Sequence, residues 1–292
     1  MSGFQHRRLD VAFALGKGTF GEDGTQNTVT LSGLRVSVAI VKPGAPNYSE
    51  AQIRVYGMRL SDMNQLTMLG KPLDYSRLNH IAVSAGTDGG PMAIAFQGNI
   101  QQCWADMNSA PQVPLIVHAV DNGELAMMPI PATSYKGPVD VATAMAGLAR
   151  QAGLSLENNG VSVMLDNSYL SGAVGEQIKS VAEHAHINHI IENDKLIIWP
   201  MDGVRGGLIP LISPETGMVG YPAFTAGGLV IKTLYNPTIL FGAQIEVKSE
   251  LTPACGLWRV NYMSHDLEAD TPGGQWFTTM VCDLNFRLAS TS

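Results

Sequence analysis

Residues 137–200 form the one long stretch of this chain in which apolar side chains recur at helical spacing. Val141, Met145, Leu148 and Ala149 fall at the intervals of a single helix face, which predicts a helix over 139–152. Pro138 suits its first turn and Gly153 its end. A second helix is expected over 174–187: Ile178, Val181, Ala182 and Ala185 face one way, Glu176, Lys179 and Glu183 the other, and Ser171 is placed to cap it. Strands are expected at 161–165 and 196–199, the latter entered through an Asn193-Asp194-Lys195 turn. The stretch therefore reads as a compact α/β module of about seventy residues, enough for a small core.

The remainder reads as strands and turns. Alternating or β-rich runs occur at 9–15, 28–31, 34–41, 51–56, 81–86, 92–96, 98–104 and 114–120, and again at 229–234, 244–249, 258–262 and 276–281. One short helix is expected over 61–69, capped by Ser61 and stopped by Gly70-Lys71-Pro72. Asn122-Gly123 is the strongest hairpin signal, with 125–128 as its return strand. Asp270 to Gly274 turns between the last two strands. Closely spaced strands joined by turns imply an antiparallel sandwich or barrel. The class is thus α+β, mainly β, with divisions at 1–130, 131–204 and 205–292 marked by Pro129-Ile130-Pro131 and by Asp202 to Gly207.

Composition narrows the function classes. A net charge of -7 argues against a nucleic-acid-binding surface as the main activity. Residues 1–8 lack the apolar core of a signal peptide, and no run of apolar residues is long enough to span a membrane, so no membrane insertion is expected. Cys103, Cys255 and Cys282 are odd in number and widely spaced, as expected of free thiols in a chain folded in a reducing cytoplasm.

The motifs with chemical promise resolve into structural ones. Gly16 to Gly21 matches GxGxxG literally, but Glu22-Asp23 and a strand follow where a dinucleotide site needs a helix N-terminus, so it reads as a hairpin connection. His184, His186 and His189 lie close together, yet i and i+2 diverge on a helix, and they read as helix-end residues favoured by the C-terminal dipole. The carboxylate pairs Glu22-Asp23, Glu192 with Asp194, and Asp266 with Glu268 are placed beside turns and do not define a glycosidase pair. Tyr169 and Trp199 are isolated packing aromatics, and no GxSxG elbow occurs. No catalytic, cofactor-binding or metal-ligating set is assigned, and no cofactor is expected.

Three stretches carry a family resemblance. They are 81–86 with Phe96-Gln97-Gly98-Asn99-Ile100; 148–154 with 177–187 and 196–200; and 228–237, 241–249, 256–260, His265-Asp266-Leu267-Glu268 and 274–279. In this order they resemble baseplate hub proteins of contractile-tailed bacteriophages, the late control D type. The resemblance implies two antiparallel β-barrel-like tube domains flanking the α/β module. It further implies a non-enzymatic homotrimer in pseudo-sixfold order that joins the hexameric tail tube to the trimeric central spike and lines the channel. Tape measure and baseplate wedge proteins would be further partners, with DNA only in transit, as suits an acidic chain. The place would be the virion tail, assembled in the host cytoplasm. Two other readings stay open: the equivalent adaptor of a phage-like secretion or killing machine, and a cell-wall-binding or hydrolytic tail protein.

Overall fold

The computed structural model describes residues 6–20, 25–45, 47–68, 78–166 and 168–283. The first unit contains β1 (Arg7–Ala14), β2 (Thr28–Leu31), β3 (Val36–Lys42), β4 (Glu50–Tyr56), α1 (Leu60–Leu66), β5 (His80–Thr87), β6 (Met92–Ala105) and β7 (Pro114–Val120). The insert contains β8 (Thr133–Ser134), β9 (Val139–Asp140), α2 (Val141–Gln151), β10 (Ser155–Asn158), β11 (Met164–Leu165), β12 (Tyr169–Leu170), α3 (Val174–Ala185), β13 (Ile187–Glu192) and β14 (Lys195–Pro200). The last unit contains β15 (Leu211–Ile212), β16 (Ala223–Thr225), β17 (Gly228–Leu234), β18 (Gln244–Val247), β19 (Gly256–Ala269) and β20 (Trp276–Asp283).

The two flanking units share one 13-stranded sheet, ordered β16-β17-β20-β19-β3-β4-β7-β6-β5-β1-β2, with β15 and β18 branching from β19. The shared seam is β19 against β3, running from Met263 opposite Lys42 to Ala269 opposite Val36. The first unit curls until the start of β1 meets the β19–β20 turn, where Arg7 Nη1 donates to the Gly274 carbonyl at 2.9 Å. Strand alternation sends Leu9, Val11 and Phe13 inward with Val36, Val38 and Ile40. Leu267, Ala269 and Trp276 from the far hairpin complete that core. A second core holds Leu229, Ile231, Ile245, Trp258, Val260 and Met280 of the last unit.

The insert has a third core between α2, α3 and the sheet β10-β14-β13. In β14, Leu196 and Ile198 face the helices while Ile197 and Trp199 enter the core of the last unit. Burial on both faces explains why Leu196 to Trp199 reads as one continuous apolar run. Trp199 meets Phe241 edge-on with ring centroids 6.2 Å apart.

Several expectations need correction. Asn122 and Gly123 do not begin a hairpin; residues 123–126 form a 3-10 turn. Both edges of β7 are already taken by β4 and β6, so a return strand has no edge to pair with. The type I′ turn lies instead at Asn193 and Asp194, both at positive φ, between β13 and β14. Helix α2 begins at Val141, not around Pro138, because Val139–Asp140 pairs with Met164–Leu165 and Asp140 caps the helix through Thr143 N at 2.9 Å. Helix α3 is capped at Ala173, whose N–H donates to Glu176 Oε2 at 3.1 Å, rather than at Ser171, and it ends at Ala185 where His186 turns left-handed. Helix α1 starts at Leu60, with Arg59 rather than Ser61 at the cap position, and ends at Leu66; its expected stop at 70–72 lies outside the described residues. The runs 92–96 and 98–104 form one strand through Gly98, where a Cβ would collide with the Val120 carbonyl. Tyr169 is 71% exposed rather than packed, because Leu170 takes the inward position of that two-residue strand.

Candidate functional site

Side chains from all three units converge where the strands of the first unit end on the insert. Lys42 is the last residue of β3, Asp121 follows β7, Glu192 is the last residue of β13, and Arg205 follows β14. Arg205 is anchored on the last unit, its N–H donating to the Gly242 carbonyl at 2.8 Å. Lys42 donates to Oε1 of Glu192, and Arg205 Nη1 donates to Oε2 at 2.8 Å. The three side chains are only 12%, 13% and 8% exposed in the order Lys42, Glu192, Arg205. Glu157 approaches both Arg205 Nε at 4.0 Å and Lys195 at 3.6 Å. Asn122 Nδ2 also donates to the Asp121 carboxyl and to the Ile191 carbonyl, joining β7 to β13.

The electrostatics follow from burial and partners. Burial alone would raise the Glu192 carboxyl, but Lys42 and Arg205 outweigh it and hold it at about 2. Asp121 goes the other way: burial, aided by Glu192, Glu124 and Asp194 against Lys42, pushes it up to about 8. A cleft of about 270 Å³ opens beside this junction, lined by Tyr48, Asp121, Leu125, Ile178 and His189 among others. Burial holds His189 down at about 4, so it is a neutral imidazole at pH 7. A protonated acid, a neutral imidazole and an ion-paired carboxylate make a polar joint; none is arranged as a nucleophile beside its base.

The histidines singled out in the sequence do not converge. His184 Nδ1 donates to the Ser180 carbonyl at 2.7 Å, His186 caps α3 at φ 49°, and His189 lies in β13 facing the cleft. Among the described residues no three His, Cys, Asp or Glu groups are placed to hold a metal ion. Gly16 and Gly18 belong to the β1–β2 hairpin connection, closed by Phe20 N to the Gln26 carbonyl at 2.7 Å; residues 21–24, with Glu22 and Asp23, lie outside the described residues. Asp266 and Glu268 sit within β19 rather than beside a turn, because that strand extends to Ala269; Glu268 accepts from Ser37 Oγ and Gln275 N. Cys103 and Cys282 are buried free thiols, and burial pushes Cys103 up to about 12. Among the described residues no helix is long and apolar enough to cross a membrane.

The architecture is that of phage tail proteins. A tail protein of Neisseria meningitidis superposes with a TM-score of 0.60 at 10% identity, covering 94% of this chain and 96% of that one. The 43 kDa tail protein of prophage MuSo2 from Shewanella oneidensis gives 0.58 at 8% identity, covering 95% and 96%. The E. coli c3393 protein, a type VI secretion component with structural similarity to the T4 tail proteins gp27 and gp5, gives 0.57 at 10% identity, covering 86% and 73%. No curated protein matches the sequence. The family model Baseplate hub gp41 matches residues 8–272, and the chain belongs to that family of structural tail proteins. The resemblance to baseplate hub proteins is borne out, as is the mainly β class; the strands of the two flanking units form one large, mostly antiparallel sheet.

Proposed function

We propose that this chain is the central hub subunit of a contractile tail, a homotrimer whose six β units surround the channel in pseudo-sixfold order. The tail tube would stack on one side of the ring and the trimeric spike on the other. The observation that carries this reading is the pair of β units, 1–130 and 205–292, each built around its own strands, which share one sheet across β3 and β19 and are joined where Leu267, Ala269 and Trp276 of the last unit enter the core of the first. A shared sheet fixes the angle between units, which a ring needs for closure. The insert, 131–204, is held by the Glu192 junction and the Trp199 contact, and so would ride on the ring as a rigid body. Its work would be structural, with tape measure and wedge proteins as neighbours, DNA only in transit, and assembly in the host cytoplasm.

Cryo-electron microscopy of the full chain co-expressed with its cognate spike tests this. The expected result is three copies around one axis with both β units facing the channel. A spike complex of other stoichiometry, or one with a β unit outside the ring, would sink the reading. The likeness to the E. coli secretion component favours one second reading, the same adaptor in a secretion machine. The particle with which the chain co-purifies separates the two.

A further inference from the structure

At the end of the first unit remote from the insert, the turn before β3, the β4–α1 connection and the β6–β7 connection surround a groove of about 640 Å³. Strand register places it there: Tyr56 pairs with Pro114 at this end, whereas Glu50 pairs with Val120 at the end where Lys42 meets the insert. The 7 residues of β4 separate the two ends, roughly 20 Å of strand. The groove is floored by Leu34, Met58, Met63 and Val113. On its rim, Leu60 and Met107 are 52% and 58% exposed, although both are large and apolar. Methionine-lined surfaces adapt to irregular apolar partners.

The rim also carries positive charge in a chain of net charge -7. Arg35 lies 3.6 Å over the Tyr56 ring, which holds its guanidinium at the groove mouth. Exposed Arg59 precedes α1, and Arg54 lies two residues before Tyr56 on the same face of β4. None of these three arginines forms an ion pair among the described residues. Two carboxylates of this unit's neighbourhood are already engaged: Asp106 accepts from Asn108 N and Ser109 Oγ, and Glu268 from Ser37 and Gln275; Asp62 lies in the first turn of α1. An apolar floor with Arg35 at its mouth and exposed Arg59 between the lining residues Met58 and Leu60, neither in an ion pair among the described residues, matches an apolar segment that brings its own carboxylates.

We propose that this groove seats an amphipathic segment of another protein of the tail, with its apolar residues on the methionine floor and its Asp or Glu side chains paired to Arg35 and Arg59. That the partner is a tail protein rests on the hub reading above; the chemistry of the segment does not. Such a contact would lie at the end of the first unit opposite the insert, and so would bind a different neighbour from the one the insert meets.

The test places p-benzoyl-phenylalanine at Gln112, on the groove edge, in the full chain during particle assembly, followed by irradiation and mass spectrometry of purified particles. The expected result is a cross-link to an apolar segment of a different protein with Asp or Glu among its apolar residues. In an R35Q/R59Q background the yield should fall by roughly tenfold, and L60D should reduce it similarly, both at unchanged melting temperature. Particles that contain the chain but give no cross-link, give one only to a second copy of this chain, or give the same yield in both variants overturn the proposal. Absence of the chain from particles would instead overturn the hub reading, and the tail partner with it.

Discussion

Arg205 donates from Nη1 to Oε2 of Glu192 across 2.8 Å, although the backbone of one is bonded to the last β unit and the other ends a strand of the insert. Lys42 of the first unit takes the remaining oxygen, so a single carboxylate ties three parts of the chain. Replacing Glu192 with Gln keeps the shape but takes from Lys42 and Arg205, both largely buried, the carboxylate they share, with Glu157 remaining only at 4.0 Å from Arg205 Nε. The expected cost is about 3–5 kcal/mol, the range for breaking a buried pair by removing one partner. Because the folded carboxyl is depressed to about 2 from 4.5, its contribution is complete above pH 4.5 and is lost as pH falls toward 2. Urea unfolding at pH 7 measures the loss, and a difference below about 1 kcal/mol would show that the junction does not hold the units together.

Three other groups set the pH dependence. His189 and His265 are held at about 4 and about 3 by burial, so protonation favours the unfolded chain and stability falls as pH drops below 6.5. Asp121, raised to about 8, acts in the opposite sense: its burial penalty grows as pH rises from 3.8 to 8, so acidification relieves it. Between pH 6.5 and about 4.5, above the range where Glu192 contributes, each group changes stability by about 1.4 kcal/mol per pH unit, and the net of two losses and one gain is about 1.4. Asp121→Asn removes the gain. The variant should be more stable than the parent at pH 8 and lose stability roughly twice as steeply between pH 6.5 and 4.5. Equal slopes for the two proteins would mean that Asp121 is not a buried acid.

Asp140 gives a smaller, local test. Its carboxylate accepts from Thr143 N at 2.9 Å and from Thr143 Oγ1 at 3.1 Å, closing the start of α2. Asp140→Ala should cost about 1 kcal/mol, and Asp140→Asn should restore most of it. Thermal unfolding of the three proteins decides; an Ala variant as stable as the parent would locate the cap elsewhere.

These outcomes also mark what the sequence made legible. Local rules found β7 to the residue and placed α2 and α3 within a few positions, because period and capping chemistry act over one or two turns. They failed where a distant edge decides, as at Asn122, whose turn propensity met a strand with no free side. The junction was legible only in part. Glu192 stands out as a charge beside a turn, but Lys42 lies 150 positions away and nothing local marks it as its partner. Arg205 read as part of a Gly-rich break, and its burial depends on the Gly242 carbonyl that holds its backbone. The 14-residue length of β19 was underestimated because its second half is paired by β3, from the other end of the chain.

Gly242 and Trp199 supply a test of how rigidly the insert is joined to the last unit. Gly242 has φ 79°, and a Cβ built there lies 2.5 Å from Trp199 Cζ2. Its N–H donates to the Val260 carbonyl at 2.8 Å while its own carbonyl accepts from Arg205, so the backbone is pinned on both sides. Gly242→Ala therefore meets two penalties. Left-handed backbone costs an alanine about 1 kcal/mol, and the clash with a buried ring adds about 2. Trp199→Leu removes the ring edge but not the backbone conformation. In that background Gly242→Ala should cost only the first part, giving a coupling of about 2 kcal/mol in a double-mutant cycle. Additivity within about 0.5 kcal/mol would mean that ring and glycine do not touch in solution and that the insert moves independently of the last unit. Hydrogen exchange in β14 reports the same event directly. Trp199→Leu should raise exchange at 197–199 while leaving α2 and α3 protected, since their core is closed by Leu196 and Ile198 on the opposite face.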